Sequence, residues 1–372
     1  MSGYSATAAV VAEQGGPFEL HEVEVDDPRP DEVLVRVVAG GLCQADLSAR
    51  DGHVPFPLPG VVGHEGSGVV EAIGDQVEDL AVGDHVVMSF AFCGSCRQCI
   101  GGHPAYCDSW PALNLFSGAR PDGSTALRLG DQAIHGNFFG QSSFSTRALA
   151  VARTVVRVPR EAPLELLGPL ACGIQTGAEA IFEVLRPAPG ETLAVFGAGA
   201  VGLSAVIAAV NLSGASVIAV DVKAERLQLA ARLGATHVVD AGEVDAVEAL
   251  LEITAGRGCD LTLEASGAPG VSQQAIESLA PLGRCGIVGG GGRDGEASFN
   301  TLRAIVRGVS VVGINQGDAI PRTSIPKLID LFERGRFPFD QLLTFYPFEQ
   351  IEQAAEDVAR GTVTKAVIRL PG

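Results

Sequence analysis

The sequence predicts an α/β protein with two domains, one rich in β-strands and one built around a doubly wound parallel sheet. Short apolar runs with strand-like alternation fill the first part of the chain, whereas from about residue 174 to residue 314 apolar runs alternate with helical segments. Strands that alternate with helices are typical of a parallel sheet with crossovers. The 372 residues are enough for two hydrophobic cores. We therefore expect residues 1–173 and 315–372 to form one domain and residues 174–314 the other.

The first domain is expected to begin with short strands. Residues 8–11 form an apolar run, residues 33–38 alternate in polarity, and residues 26–31 supply a turn between them. Residues 114–131 are looser and polar, which predicts a surface excursion. Residues 138–145 are then expected to return to strand.

The composition excludes several classes of protein. The net charge is −18 and the pI is about 4.8, without a dense cluster of Lys and Arg, which argues against a nucleic-acid partner. The sequence has no 18-residue apolar span free of helix breakers, so we expect no membrane helix. The first residues lack a basic region followed by an apolar core, so we expect no secretory signal and a cytoplasmic location.

Three separated residues are candidate ligands of a catalytic metal. A lone Cys43 is more often a buried small hydrophobe, and a lone His64 is more often a core histidine with satisfied hydrogen bonds. Together with Cys172, however, they make up the two-cysteine, one-histidine set of a catalytic zinc whose fourth position stays open. Sequence spacing alone does not show that the three side chains meet.

A second metal site is predicted by four closely spaced cysteines, Cys93, Cys96, Cys99 and Cys107. Their C-x2-C-x2-C-x7-C spacing allows four thiolates to surround one tetrahedral ion, and a closed site of this kind supplies folding energy. The last gap and the absence of a following proline disfavour an iron–sulfur cluster. Two disulfides are the alternative, which the expected compartment disfavours. We expect a structural zinc.

The second domain carries a dinucleotide-binding pattern. An apolar strand at residues 192–196 is followed by G-x-G-x-x-G and a helix; the motif residues are Gly197, Gly199, Ala200, Val201 and Gly202. The glycines allow a tight turn, backbone approach to a pyrophosphate, and close packing of helix on strand. Asp221, 19 residues after the last glycine, is placed to accept the ribose hydroxyls of NAD and to repel the extra phosphate of NADP. Arg226 is a candidate to bracket the adenosine. The alternative is a glycine-rich turn without a ligand.

These features together resemble the zinc-dependent medium-chain alcohol dehydrogenases, and most of all the aryl-alcohol (benzyl-alcohol-type) dehydrogenases. The resemblance covers essentially the whole chain, through G-H-E-x-x-G at residues 63–68, Cys43 with Asp46, the glycine motif, and residues 361–365. It implies a GroES-like catalytic domain, a Rossmann domain that binds NAD, and two zinc ions per chain. The implied activity is hydride transfer between primary aryl or allylic alcohols and NAD.

The resemblance also implies roles for single residues. Asp46 would orient His64 through its second ring nitrogen, and Glu65 would lie just behind the zinc, where transient ligation and simple charge balance are both open. Lys365 would contact the cofactor phosphates, and the turn at Val288 would cover the cofactor. The apolar strand at residues 309–314 would pair across a dimer axis, which predicts a homodimer or homotetramer; an ordinary internal strand is the alternative.

One departure from the family pattern bears on the chemistry. Most members carry Ser or Thr two residues after the first cysteine, where the hydroxyl relays the alcohol proton, but this chain has Ala45. Ser48, which shares a helical face with Ala45, is the main candidate replacement; His53 and an ordered water are others. The alternative function is an NADH-dependent reductase of a conjugated C=C bond or of a special carbonyl substrate, because the missing relay would matter less there.

Overall fold

The computed structural model describes residues 3–290 and 295–371. Contacts divide the chain into two units. The first consists of Met1–Cys172, Ile320–Asp330 and Asp340–Gly372, and the second of Gly173–Ala319 and Leu331–Phe339. In the described part of the chain no helix is both long and apolar enough to cross a membrane.

In the described chain from residue 3 to Cys172, ten strands and three short α-helices occur. Strands β1 to β10 are Tyr4–Val11, Glu19–Val25, Glu32–Leu42, Gly60–Val61, Gly66–Ile73, His85–Met88, Leu127–Leu129, Gln132–Ile134, Arg147–Val151 and Val155–Arg157. Helices α1 to α3 are Gln44–Arg50, Arg97–Ile100 and Leu164–Leu167.

Strands and helices alternate in the middle of the chain. Helix α4 is Gly173–Glu179, and strands β11 to β16 are Thr192–Phe196, Ser216–Asp221, His237–Asp240, Cys259–Glu264, Leu279–Ile287 and Ser310–Gly313. Helices α5 to α9 are Ala200–Leu212, Ala224–Arg232, Ala246–Ile253, Val271–Glu277 and Thr301–Arg307. The last elements are helices α10 (Pro321–Glu333) and α11 (Ile351–Arg360) and strands β17 (Leu343–Pro347) and β18 (Lys365–Arg369).

The first unit is built on two largely antiparallel sheets. One has the order β4-β1-β2-β7-β8; the other has the order β10-β6-β5-β3-β18-β17, with β9 paired to β3. Both β9 and β18 pair with the long strand β3 in the second of these sheets, because the first half of β3 pairs with β9 and its second half with β18. The last strand of the chain thereby lies beside a strand that begins at residue 32.

The second unit is a parallel sheet of order β13-β12-β11-β14-β15-β16. Strand β11 lies between β12 and β14, so the chain reverses its direction of sheet growth at β11. Strands β11 and β12 are largely apolar on both faces, as expected for a parallel sheet covered by helices. The predicted fold class, a β-rich domain beside a doubly wound sheet, is confirmed.

Two local expectations differ from the structure. Residues 138–145 do not form the predicted strand but a short 3-10 turn at Phe138–Gly140 followed by irregular chain, because side-chain hydrogen bonds hold this backbone. Residues 173, 315–319 and 331–339, predicted to belong with the first domain, group with the second unit, where the Arg336 Nη2 donates to Asn211 O at 2.8 Å. The domain limits as such remain a prediction.

Candidate metal and cofactor sites

The structure brings the three predicted ligands together in the first unit. Cys43 is the N-cap of α1, His64 and Glu65 lie between β4 and β5, and Cys172 follows α3. One ligand atom from each of these four residues lies within 4.8 Å of the others. All but Cys43 are buried, so the cluster is a compact centre shielded from bulk water.

Asp46 holds two of the ligands in place. Its Oδ1 lies 2.8 Å from His64 Nδ1 and accepts a hydrogen bond from Gly63 N at 3.0 Å, while Oδ2 accepts from Cys43 N at 2.9 Å. Because an ionised carboxylate only accepts, the proton of the imidazole lies on Nδ1 and Nε2 is left to bind a metal. The Nε2 atom is buried and has no hydrogen-bond partner among the described residues.

The charges around the cluster favour a cation at its centre. A hydrogen bond from Cys172 lowers the pKa of Cys43 well below its usual range, against the effect of burial, and the same hydrogen bond together with burial raises the pKa of Cys172. Burial alone would lower the pKa of His64, but the Asp46 carboxylate and Cys43 raise it to about 10. Two sulfur ligands and one imidazole around a buried, cation-favouring centre are the donor set that suits zinc.

Lys365 forms a buried ion pair with Glu65 of the ligand cluster. Its Nζ donates to Glu65 Oε1 at 2.7 Å and to Leu42 O at 3.3 Å, and the side chain is only 3% exposed. A buried carboxylate next to thiolates requires a compensating positive charge, and breaking such a pair is strongly destabilising. Lys365 therefore forms an ion pair behind the ligand cluster, and its predicted contact with the cofactor phosphates stays a prediction.

The four remaining candidate ligands form a second cluster in the first unit. The sulfur atoms of Cys93, Cys96, Cys99 and Cys107 all lie within 4.8 Å of one another. Backbone N–H groups point at sulfur, for example Cys93 N to Cys107 Sγ at 3.3 Å and Cys96 N to Cys93 Sγ at 3.3 Å. None of the eight cysteines, all in the described ranges, forms a disulfide. The cluster has the ligand number and donors of a closed structural zinc site.

The glycine motif in the second unit forms the turn between β11 and α5. Gly197 adopts φ +92°, which favours glycine, and a Cβ at Gly202 would overlap the Gly197 carbonyl oxygen. A Cβ at Gly199 would meet nothing within 4 Å, so this side of the turn is open. Open N–H groups at the start of a 13-residue helix suit the phosphates of a dinucleotide. Ala200 and Val201 are the first two residues of that helix.

Asp221 ends β12 beside this turn. Its Oδ2 accepts from Ala198 N at 2.6 Å, and its Oδ1 accepts from Val222 N and Lys223 N. The Arg226 Nη1 lies 4.0 Å from Oδ2, and Arg226 Nε is buried without a hydrogen-bond partner in the described chain. An acid that closes the second strand, with an unsatisfied guanidinium nitrogen near it, fits the adenosine end of NAD.

Glu264 is a residue that the sequence analysis missed. It ends β14, is fully buried, and through Oε1 accepts from Ser266 N (2.7 Å), Ser266 Oγ (2.5 Å) and Gly267 N (2.9 Å). Its backbone oxygen accepts from Val288 N at 2.9 Å, which joins the turn after β14 to the turn after β15. The signal available in the sequence was an acid at the carboxyl end of an apolar strand, just before a Ser-Gly turn.

Aromatic rings surround the histidine of the ligand cluster. Phe139 stacks on the His64 ring at a centroid distance of 4.3 Å, and Phe138 meets it edge-on at 5.6 Å. Trp110 lies edge-on to Phe139, and Phe56 to Phe138. The contact between Phe139 and His64 was not predicted, because residues 138–145 were expected to be a strand.

Ala45, at the usual position of the proton relay, and Ser48, its predicted replacement, both lie on α1. Ala45 packs against the first-unit core, and Ser48 lies one turn further along α1 with a half-buried side chain. The Ser48 hydroxyl makes no hydrogen bond to another described residue, although its backbone oxygen accepts from Val54 N at 2.9 Å. The role of Ser48 therefore stays a prediction.

A thiol–imidazole metal centre in one unit and a dinucleotide turn in the other define a metal- and NAD-dependent oxidoreductase. Residues 29–160 match the family described as alcohol dehydrogenase GroES-like domain, and residues 200–334 match zinc-binding dehydrogenase. The chain belongs to the zinc-dependent medium-chain alcohol dehydrogenases, as the resemblance implied, and its cofactors are zinc and NAD.

Individual relatives agree with this placement over the full length. Geraniol dehydrogenase of Castellaniella defragrans is 42% identical over 98% of this chain and 97% of its own. Benzyl alcohol dehydrogenase of Acinetobacter calcoaceticus has a TM-score of 0.95 at 43% identity over 99% of this chain and all of that one. An alcohol dehydrogenase zinc-binding domain protein from Burkholderia ambifaria has a TM-score of 0.97 at 50% identity over both whole chains.

Proposed function

We propose that this alcohol dehydrogenase interconverts primary aryl or allylic alcohols and the corresponding aldehydes, with NAD as the hydride acceptor. The observation that carries the proposal is the buried Cys43–His64–Cys172 cluster with aromatic rings packed around its histidine. Geraniol is an allylic alcohol and benzyl alcohol an aryl alcohol, so the names of two full-length relatives support this substrate class. They do not favour the alternative of a C=C reductase.

In this proposal Cys43, His64 and Cys172 hold the catalytic zinc. A bound zinc ion supplies a Lewis acid that lowers the pKa of an alcohol oxygen. Asp46 keeps the imidazole proton on Nδ1 and fixes the backbone of Cys43. The ion pair of Glu65 with Lys365 balances the charge behind the cluster, and the burial of these groups excludes water.

The second unit holds NAD through its glycine turn and its acid. The N–H groups at the start of α5 would bind the pyrophosphate, and Asp221 would accept the ribose hydroxyls. Val288, tied to Glu264 through its N–H, would cover the cofactor from the turn after β15. Ser48 is the proposed replacement for the proton relay that Ala45 cannot supply.

Absorbance of NADH tests the proposal directly. Purified protein is given NAD with benzyl, cinnamyl, geranyl-type and short aliphatic alcohols, and NADH with the matching aldehydes. We expect rapid turnover of the aryl and allylic alcohols, and a loss of about 10²–10⁴-fold in Ser48→Ala if Ser48 relays the proton. NADH consumption only with an unsaturated carbonyl, with the saturated product recovered, would contradict the proposal.

Removal of the Glu264 carboxylate is expected to weaken cofactor binding. In Glu264→Ala three hydrogen bonds donated by Ser266 and Gly267 lose their acceptor, so the turn at residues 265–267 loosens against Gly197. We expect NADH to bind at least about tenfold more weakly, as measured by fluorescence titration, and less so in Glu264→Gln. Glu277→Ala, at the end of α8, is the control. An unchanged NADH affinity in Glu264→Ala would contradict the role of Glu264.

We also propose a homodimer that forms along β16. This strand is last in its sheet, and Val311 and Val312 are 43% and 37% exposed. An exposed apolar edge strand favours pairing with another chain. We expect Val312→Lys to shift the mass in light scattering from two chains to one. Val238→Lys on β13, at the opposite edge of the same sheet, should leave the mass unchanged. A monomeric wild type would contradict the proposal.

A further inference from the structure

The turn beside the metal-ligand histidine carries a strained backbone. Asn137, Phe139 and Ser142 have φ values of 61°, 51° and 56°, in the left-handed region that favours glycine. Left-handed backbone at a bulky residue such as phenylalanine is uncommon and persists only where the surroundings enforce it. Strain of this kind is concentrated at active sites and ligand-binding segments.

Hydrogen bonds hold the turn against the segment that carries His64. Ser142 Oγ donates to Val61 O at 2.6 Å and accepts from Phe138 N at 2.9 Å. Gln141 Nε2 donates to His64 O at 2.9 Å and also to Met88 O at 3.0 Å. The turn is thus fastened on both sides of the ligand histidine by buried polar side chains.

The consequence is a defined position for the Phe139 ring. It covers one face of the imidazole at a centroid distance of 4.3 Å and an interplanar angle of 23°, and Trp110 supports it edge-on at 5.6 Å and 89°. Phe138 meets the imidazole edge-on at 82°. Phe139 is only 3% exposed, so its position is fixed by packing as well as by the backbone.

We propose that Phe139 is a positioning residue for the metal ligand His64, an inference that rests on the proposed function. The hydrogen bond from Nδ1 to Asp46 and the edge-on contact with Phe138 leave one face of the imidazole without support. The stacked ring of Phe139 supports that face and fixes the direction of the Nε2 lone pair. The strained turn places the ring of Phe139 on this face of the imidazole.

Metal affinity tests the inference without reference to turnover. In Phe139→Leu the stacked ring is lost while an apolar side chain remains. We expect the catalytic site to bind zinc about 10–100-fold more weakly in competition with a chelator, the range usual for a lost supporting contact to a ligand. With cobalt in place of zinc, the visible absorption bands of this site should shift. The four-cysteine cluster serves as an internal control, because its affinity should not change.

A matched variant separates positioning from packing. Phe18→Leu removes a buried ring of the same unit that pairs edge-on with Phe144, and it should lower the melting temperature without weakening metal binding. Phe139→Tyr keeps the ring and should restore wild-type affinity; Phe139→Met serves if the leucine variant does not fold. Wild-type affinity and cobalt spectrum in Phe139→Leu or Phe139→Met would overturn the inference. A wild type that holds no metal at this site would instead overturn the proposed function.

Discussion

His64→Ala is expected to abolish alcohol oxidation while the protein stays folded. The variant loses one of the three proposed zinc ligands, and the remaining carboxylate of the cluster, Glu65, is already paired with Lys365. The loss of several kcal/mol of Lewis-acid stabilisation corresponds to a fall in kcat/KM of about 10³-fold or more. Elemental analysis should show the metal content falling from two ions per chain to one. Steady-state kinetics with the best alcohol from the panel measures the effect.

The control is His135→Ala, which removes a half-buried histidine of the same unit outside the cluster. It should retain both metal ions and most of the activity. If His64→Ala kept two ions and turned over normally, the assignment of His64 as a ligand would be wrong. Circular dichroism on both variants establishes that lost activity does not reflect lost fold.

Cys96→Ala is expected to have the opposite profile, a large loss of stability with the catalytic ligands intact. Cys96 caps α2 and accepts a hydrogen bond from Cys99 N at 3.5 Å. Three thiols cannot close a tetrahedral site, and metal binding to such sites is worth about 10–16 kcal/mol in isolated zinc-finger peptides. We expect elemental analysis to find one ion per chain. We also expect rapid proteolysis within residues 93–107, which mass spectrometry of the fragments would detect.

Cys259→Ala is the matched control, because Cys259 is a buried cysteine of the second unit outside both clusters. It should keep two ions and resist the protease. Equal resistance of Cys96→Ala and the wild type would show that the four cysteines do not hold a structural metal. Together, the two pairs of variants assign each of the two ions to its own cluster.

Sequence reasoning worked where one local motif carries the physical constraint. Gly197 and Gly202 could be placed because each meets a steric requirement that no other residue satisfies, and the structure shows the backbone contacts concerned. The four-cysteine spacing likewise confines its ligands to 15 residues. Both patterns are short, so no knowledge of the tertiary fold was needed.

Prediction from the sequence failed where contacts between distant segments determine the position of a residue. The position of Lys365 depends on the pairing of β18 with β3, and no local sequence pattern indicates that pairing. The ion pair of Lys365 with Glu65 was therefore not predicted. Residues 138–145 were expected to form a strand, but hydrogen bonds from Gln141 and Ser142 to other segments hold them in a different conformation. Glu264 was missed because the three hydrogen bonds that its carboxylate accepts from the turn after β14 can be identified only in the structure.

The place of β18 in the sheet has a consequence for how the protein is made. The ribosome delivers the chain from its N-terminus, so Cys43, His64, Glu65 and Cys172 emerge long before Lys365, which neutralises Glu65. Until residues 365–369 arrive, the second half of β3 is paired with β5 alone, and a buried carboxylate lacks its counterion. We therefore expect the catalytic zinc to be acquired only after synthesis of the chain is nearly complete, whereas the four-cysteine cluster, complete at residue 107, is able to take up its ion on the nascent chain.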